Sequence, residues 1–183
     1  MATPDRRVKR TQRLLAEALI SLSLEKGYDA VSIRDITERA DVAYATFFRH
    51  YDDKDALLDE VVDVILDDMS QLLQPGTSAV EHQAALGTQI FAYVQAHSEL
   101  CRVLLGSRGK ERLLDKLLTT RQDFPFPSSS SDIPPDIAQY HFISAGIGLI
   151  QWWLDHDMPY PLEQMGQIFA TLILVPQQVL SAS

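Results

Sequence analysis

The chain holds 183 residues, 46% hydrophobic and 22% charged. That is ordinary globular usage in a length that buries a real core, so disorder of the whole is excluded and the class must come from pattern. The formal charge of −9 argues against a nucleic-acid partner only until its distribution is read: residues 1–54 carry 10 Lys/Arg against 9 Asp/Glu, and residues 55–183 carry 6 against 16, so an acidic body follows a near-neutral leader.

From the N-terminus, Arg6, Arg7, Lys9, Arg10 and Arg13 form a basic arm without the apolar core of a secretory signal. Leu15, Ala18, Leu19 and Leu22 recur at i, i+3, i+4 and i+7 and predict a first helix over about residues 11–26. Gly27 closes it as the usual left-handed cap, with Lys26 against the negative end of the helix dipole. Ser32-Ile33-Arg34-Asp35 is a near capping box opening a short helix over 33–39. Asp41-Val42-Ala43 reads as a turn, and Tyr44 to His50 as a third short helix. A longer helix starts at Asp53, with Leu57, Leu58, Val61, Ile65, Met69 and Leu72 on its inward side, and Pro75-Gly76 breaks it.

Ser78-Ala79-Val80-Glu81 is a full capping box opening a helix to Ala96. His97-Ser98 restarts the chain into a segment that ends at Gly106-Ser107-Arg108-Gly109, and a further helix covers residues 110–122. Residues 124–135 hold Pro125, Pro127, Pro134, Pro135 and four serines and read as an irregular loop. Two long apolar helices follow, over about 136–156 and 161–180, the second kinked or ended by Pro176. No stretch shows strand alternation, so the expected fold is all-α with about nine helices. The most apolar run, Phe142 to Leu154, contains Gln151 and is shorter than the roughly 17 to 20 residues that span a bilayer. Cys101 is the single cysteine, which excludes an internal disulfide or a multi-cysteine zinc site and suits a reducing setting; a cytoplasmic protein with no membrane part is expected.

Residues 32–51 read as helix, tight turn, helix, with Ile33, Ile36, Ala40, Val42 and Phe47 as the apolar contacts between them. That is helix-turn-helix geometry, in which the second helix enters the major groove of DNA by its N-terminal end. The details add to it: an apolar-faced first helix ending in Gly27-Tyr28, Ser32 opening the second, Ala40-Asp41-Val42-Ala43 at the turn, Thr46-Phe47-Phe48-Arg49-His50-Tyr51, and Lys54-Asp55-Ala56-Leu57-Leu58. Together these resemble the N-terminal domain of the TetR/AcrR family of bacterial transcriptional regulators. The resemblance covers about 50 residues and departs at three. Asp41 replaces the family's Gly, and Asp tolerates a left-handed turn. Ala43 replaces Ser and removes a side-chain N-cap worth roughly 1 kcal/mol. Phe48 replaces Tyr, whose hydroxyl commonly bonds a phosphate, and Tyr44 one turn earlier offers a hydroxyl instead.

The chemistry assigns candidate DNA contacts. Tyr44, Ala45 and Thr46 lie within reach of base edges, with Ala45 and Thr46 suited to a thymine methyl. Arg49 and His50 are phosphate neighbours, Lys54 at the start of the fourth helix is expected to clamp a phosphate, and Arg34 meets a base or a phosphate. Arg6, Lys9 and Arg10 follow the duplex backbone or enter the minor groove. The competing reading of each cation is a solvated surface charge.

A division follows into a DNA-binding head over 1–54, a linking helix over 53–74, and a sensing and dimerising body over 75–183. The last two helices are apolar on nearly every face, and a helix apolar all round must be covered on all sides. With Ser144 and Gly148 allowing close approach, a homodimer through about 136–156 and 161–180 is expected, which the resemblance also implies. Phe91, Tyr93, Cys101, Tyr140, His141, Trp152 and Trp153 are candidate pocket residues for a small, apolar or aromatic effector, although aromatics at helical spacing, like a lone cysteine, are more often plain core. The histidines are too scattered for a metal site. No Glu-x-x-His pair, nucleophile elbow or phosphate-binding glycine loop occurs, so neither cofactor nor enzyme is expected. The resemblance implies a repressor that holds a palindromic operator until an effector releases it. The alternative is a dimeric helical regulator acting through a protein partner.

Overall fold

Lys and Arg are good helix formers, and nothing before Leu14 breaks the helical pattern. In the computed structural model, which describes residues 6–72, 80–119 and 133–174, α1 (Arg6–Lys26) is accordingly helical from Arg6, so the expected arm is, over these residues, the first turns of a rod. Gly27 ends it at φ 80°. A short 3₁₀ turn, Tyr28–Ala30, leads to α2 (Ile33–Arg39) and then α3 (Tyr44–Phe47). The Ser32 box is complete: its Oγ accepts from the Asp35 N–H at 3.2 Å, and Asp35 Oδ2 accepts from the Ser32 N–H at 2.8 Å. Asp41 sits at φ 53°, the left-handed turn that Asp tolerates.

The chain continues through α4 (Lys54–Leu72), α5 (Val80–Ala96), α6 (Ser98–Leu104), α7 (Ser107–Thr119), α8 (Pro135–Asp155) and α9 (Leu162–Phe169), which runs into a widened π turn, Ala170–Leu174. Nine α-helices and no strand are found among the described residues. Ser78, Ala79, most of the 124–135 loop and Pro176 lie outside them. The expected break at Gly106-Ser107-Arg108-Gly109 is shorter than read, because α7 already starts at Ser107. Gly109 serves close approach there: a Cβ on it would stand 2.6 Å from the Leu104 backbone.

The head core is Leu15, Leu19, Ile36, Phe47 and Leu57, all 0% exposed; of the expected helix-pair contacts, Ile33 and Val42 are half-buried at its edge. Arg39 and Glu25 form a two-point pair at 2.7 Å that ties the end of α2 to the end of α1. In the body, α5 and α9 pack backbone to backbone, since a Cβ on Gly87 would lie 2.7 Å from the Gly166 carbonyl oxygen and one on Gly166 would lie 2.6 Å from that of Ala84. Above this contact the Phe91 ring meets Trp153 edge to face at 5.1 Å and Phe169 at 6.2 Å, and Trp153 Nε1 donates to the Tyr160 carbonyl at 3.0 Å. No helix among the described residues is long and apolar enough to cross a membrane.

Head and body are laced through α4. Asp55, Asp59 and Asp63 repeat every four residues along it, and Arg108, Arg112 and Lys116 do the same along α7, so each triplet lies on one helix face. Arg112 reaches Asp55 at 2.8 Å and Asp59 at 2.6 Å, and Lys116 reaches Asp63 at 2.5 Å. Arg108 goes instead to Asp29 in the head at 3.6 Å. Tyr93 on α5 adds a hydrogen bond to Asp68 at 2.8 Å.

Candidate nucleic-acid interface

Phe47 decides how α3 is held. Its ring is 0% exposed, against a shell that includes Tyr51 at 5.5 Å, so the opposite face must point outward. Tyr44 and Phe48, one turn apart, are 54% and 48% exposed and meet edge to face at 5.3 Å. Ala43, Ala45 and Arg49 are exposed and Thr46 and His50 half-buried. As the composition of the turn implied, Ala43 makes no side-chain cap. Order at the start of α3 comes instead from the turn: the Val42 N–H donates to the Thr37 carbonyl at 3.0 Å and the Thr46 N–H to that of Ala43 at 2.7 Å. Arg34 projects from α2 with its side chain 80% exposed, loosely paired with Glu38 at 3.7 Å, a contact that contributes little in water and yields readily to a stronger acceptor.

Lys54 departs from its expected role. Its Nζ turns inward, donating to the carbonyls of Tyr28 and Val31 at 2.7 Å each, and lies 4.2 Å from the centre of the Tyr28 ring. Burial is the main influence on the ammonium, lowering its pKa. Two of its three donors are thus spent stapling the 3₁₀ turn to the start of α4, and this geometry does not support a phosphate clamp. The Tyr28 hydroxyl donates to Asp55, and its pKa is pushed far up by burial and then by that carboxylate. Arg6, Lys9 and Arg10 are exposed along α1; being helical they can follow a backbone, but they are not an extended arm that threads a minor groove.

The expected pocket residues do not gather into one site, although Phe91 and Trp153 meet in the core. Phe91, Trp153 and Cys101 are buried in the body core, and burial pushes the Cys101 thiol up to about 11. Tyr93 is half-buried, bonded to Asp68 and tilted against the His97 ring at 4.4 Å. Tyr140, His141 and Trp152 lie on the outside of α8 and are corrected from pocket lining to surface. Tyr140 is 55% and Trp152 42% exposed, with Trp152 stacked on His156 at 4.4 Å. α8 presents its apolar residues to both sides, and alternation alone could not say which side meets its own chain. The α4–α7 ladder went unread because each of its rungs joins residues more than fifty positions apart; the matching four-residue repeats of opposite charge were its signal. Among the described residues no group of His, Cys, Asp and Glu is arranged to hold a metal.

Comparison with known proteins agrees with this geometry. Residues 15–61 match the bacterial regulatory proteins of the tetR family, and residues 85–174 match a transcriptional regulator C-terminal region. An uncharacterised HTH-type transcriptional regulator of Bacillus subtilis, YxbF, is 26% identical over 172 residues, covering 90% of this chain but 45% of the relative, so the chain spans about half the length of that relative. A TetR-family regulator from Syntrophomonas wolfei shares the fold at a TM-score of 0.71 and 15% identity, over 93% of this chain and 96% of that one. The regulator FadR from Bacillus subtilis, solved in complex with stearoyl-CoA, does so at 0.63 and 17%, over 89% and 97%.

Proposed function

The chain belongs to the tetR family of bacterial regulatory proteins, whose members are transcriptional regulators and not enzymes, and from that premise we propose that it binds a palindromic DNA operator as a homodimer, represses transcription there, and leaves it when a small molecule binds. The observation that carries this reading is the split of α3, with Phe47 fully buried and Tyr44 and Phe48 about half exposed on the other face. Such a helix is rigidly held and still free to enter a groove. Tyr44, Ala45 and Thr46 then meet base edges. Phe48, with no hydroxyl, packs on a sugar or a thymine methyl, while Arg34 and Arg49 neutralise phosphates.

The dimer uses the outer face of α8, where Ile137, Tyr140 and Trp152 are exposed, together with Leu172 beyond α9 at 63%. Two-fold pairing places the two α3 helices about 34 to 36 Å apart, one turn of the duplex. This is a narrower interface than apolarity alone suggests, because one side of each helix is already covered by its own chain. An effector with unequal affinity for two head spacings shifts the population toward release, and the α4–α7 ladder makes α4 follow the body. A head at residues 1–54 and a body at 75–183 joined by α4 fit this division of labour.

The test is fluorescence anisotropy of the labelled upstream duplex of the chain's own gene against a random duplex, with sedimentation velocity for the dimer. The expected result is a preference of 10³-fold or more at physiological salt and a sedimenting dimer. A second reading, a head that docks on a protein partner, draws on the exposed Tyr44–Phe48 pair and the uncapped Ala43. Equal affinity for both duplexes would favour it.

A further inference from the structure

A cleft of about 910 Å³ opens between α1, α4 and the junction of α5 with α6, and we propose that it is a binding site for lipophilic cations, through which such a molecule sets the angle between head and body. This rests on the regulator reading above and names the effector class and its place. The site lies at the seam of the two units and not inside the body core, where the sequence had put it.

The walls define the chemistry. Ile20 from α1, Val61 and Val64 from α4, and Leu100 from α6 line it with apolar surface; Val64 is 54% exposed. The volume is that of a site for a drug-sized molecule. Set among these apolar residues is the half-buried Glu60, whose carboxylate takes a hydrogen bond from the Gln12 amide at 3.2 Å, an amide and not a cation. Beside both lies Tyr51, a residue only 5% exposed, whose hydroxyl interacts with the Glu60 carboxylate and the Gln12 side chain, so the carboxylate is met by neutral groups alone.

The sign of the charge follows from the remaining residues. Arg13 is paired with Glu17 at 3.4 Å, which leaves Glu60 and Glu99 facing Lys9 around the cleft. On α4 itself Asp55, Asp59 and Asp63 are taken by Arg112 and Lys116, and Glu60 is the carboxylate that this helix turns to the cleft. A charge-assisted bond in partly excluded surroundings is stronger than in water, so an ammonium or phosphonium with an apolar body is favoured and an anion of equal size is rejected. Because α1 belongs to the head and the α5–α6 junction to the body, an occupant touches both and holds them at one angle.

The experiment is isothermal titration calorimetry of the full chain, without DNA, with tetraphenylphosphonium and with tetraphenylborate, an anion of nearly the same shape. Saturable binding of the cation is expected, at least tenfold tighter than of the anion, and weakened about tenfold or more by Glu60→Gln. Val64→Arg, at an exposed position that does not threaten folding, is expected to abolish it by bulk and charge. No saturable heat, equal affinity for the anion, or unchanged affinity in both variants overturns the proposal. The titration contains no DNA, so its failure leaves operator binding standing, and failure of operator binding in the anisotropy assay leaves the titration untouched.

Discussion

Replacing Lys54 by Met keeps the stem and removes the ammonium. Two hydrogen bonds at 2.7 Å to the Tyr28 and Val31 carbonyls are lost, with the contact to the Tyr28 ring at 4.2 Å. Bonds to a charged donor contribute about 1.5 to 3 kcal/mol each and a cation–π contact about 0.5 to 1. The ammonium is only partly buried, and its own desolvation offsets part of the gain, as the lowering of its pKa by burial indicates. Halving the sum leaves roughly 2 to 3.5 kcal/mol, which in a chain of this size lowers Tm by about 4 to 14 °C. The assay is thermal melting by circular dichroism at fixed protein concentration, alongside the salt dependence of duplex binding for both proteins. The expected result is a lower Tm with the same salt slope. A Tm within a degree of the parent, together with a slope smaller by about one, would refute the staple and restore Lys54 to the phosphates.

Three further outcomes follow from the same structure. The Asp35 carboxyl is held well below the usual carboxylate range, first by its bond from Lys26 and then by Ser32; a depressed folded pKa means the unfolded chain takes up more protons in acid, so this stability is complete above about pH 4 and is lost as pH falls below it. Asp35→Asn is therefore expected to flatten the decline of the urea midpoint below pH 4, and parallel pH profiles would contradict this. Gly166→Ala places a Cβ 2.6 Å from the Ala84 carbonyl oxygen and is expected to destabilise the body by about 2 kcal/mol or more, read from the same urea midpoint; a neutral effect would mean that α5 and α9 are not in backbone contact. Cys101, with its thiol at about 11 through burial, is expected at pH 8 to react with a disulfide reagent at least about 100-fold more slowly in the folded chain than in urea, and comparable rates would place it at the surface.

Much of the head was readable because its signals are local. A capping box is a relation among Ser32, Asp35 and the two backbone groups between which they reach, and Asp41 at a left-handed turn concerns one residue. Lys54 shows where such reading stops. A lysine at the start of a helix suits a phosphate by its local chemistry, but the carbonyls that take its donors lie 23 and 26 residues earlier. The aromatic residues of the body show the same limit: Trp152 and Trp153 are neighbours in sequence, yet one is 42% exposed and the other 0%.

By itself, then, the order of residues determined an all-helical chain, the bounds of α2 and the turn before α3, since hydrogen bonds and side-chain periods within a few residues specify all of these. Only the tertiary structure decided which face of α8 meets its own core, that Gly87 and Gly166 bring α5 and α9 together, that Arg112 and Lys116 hold α4 to the body, and that the large cleft lies between α1 and α4. Each of these depends on the meeting of distant segments, and a helix that is apolar or charged on more than one face carries no local record of which face will be covered.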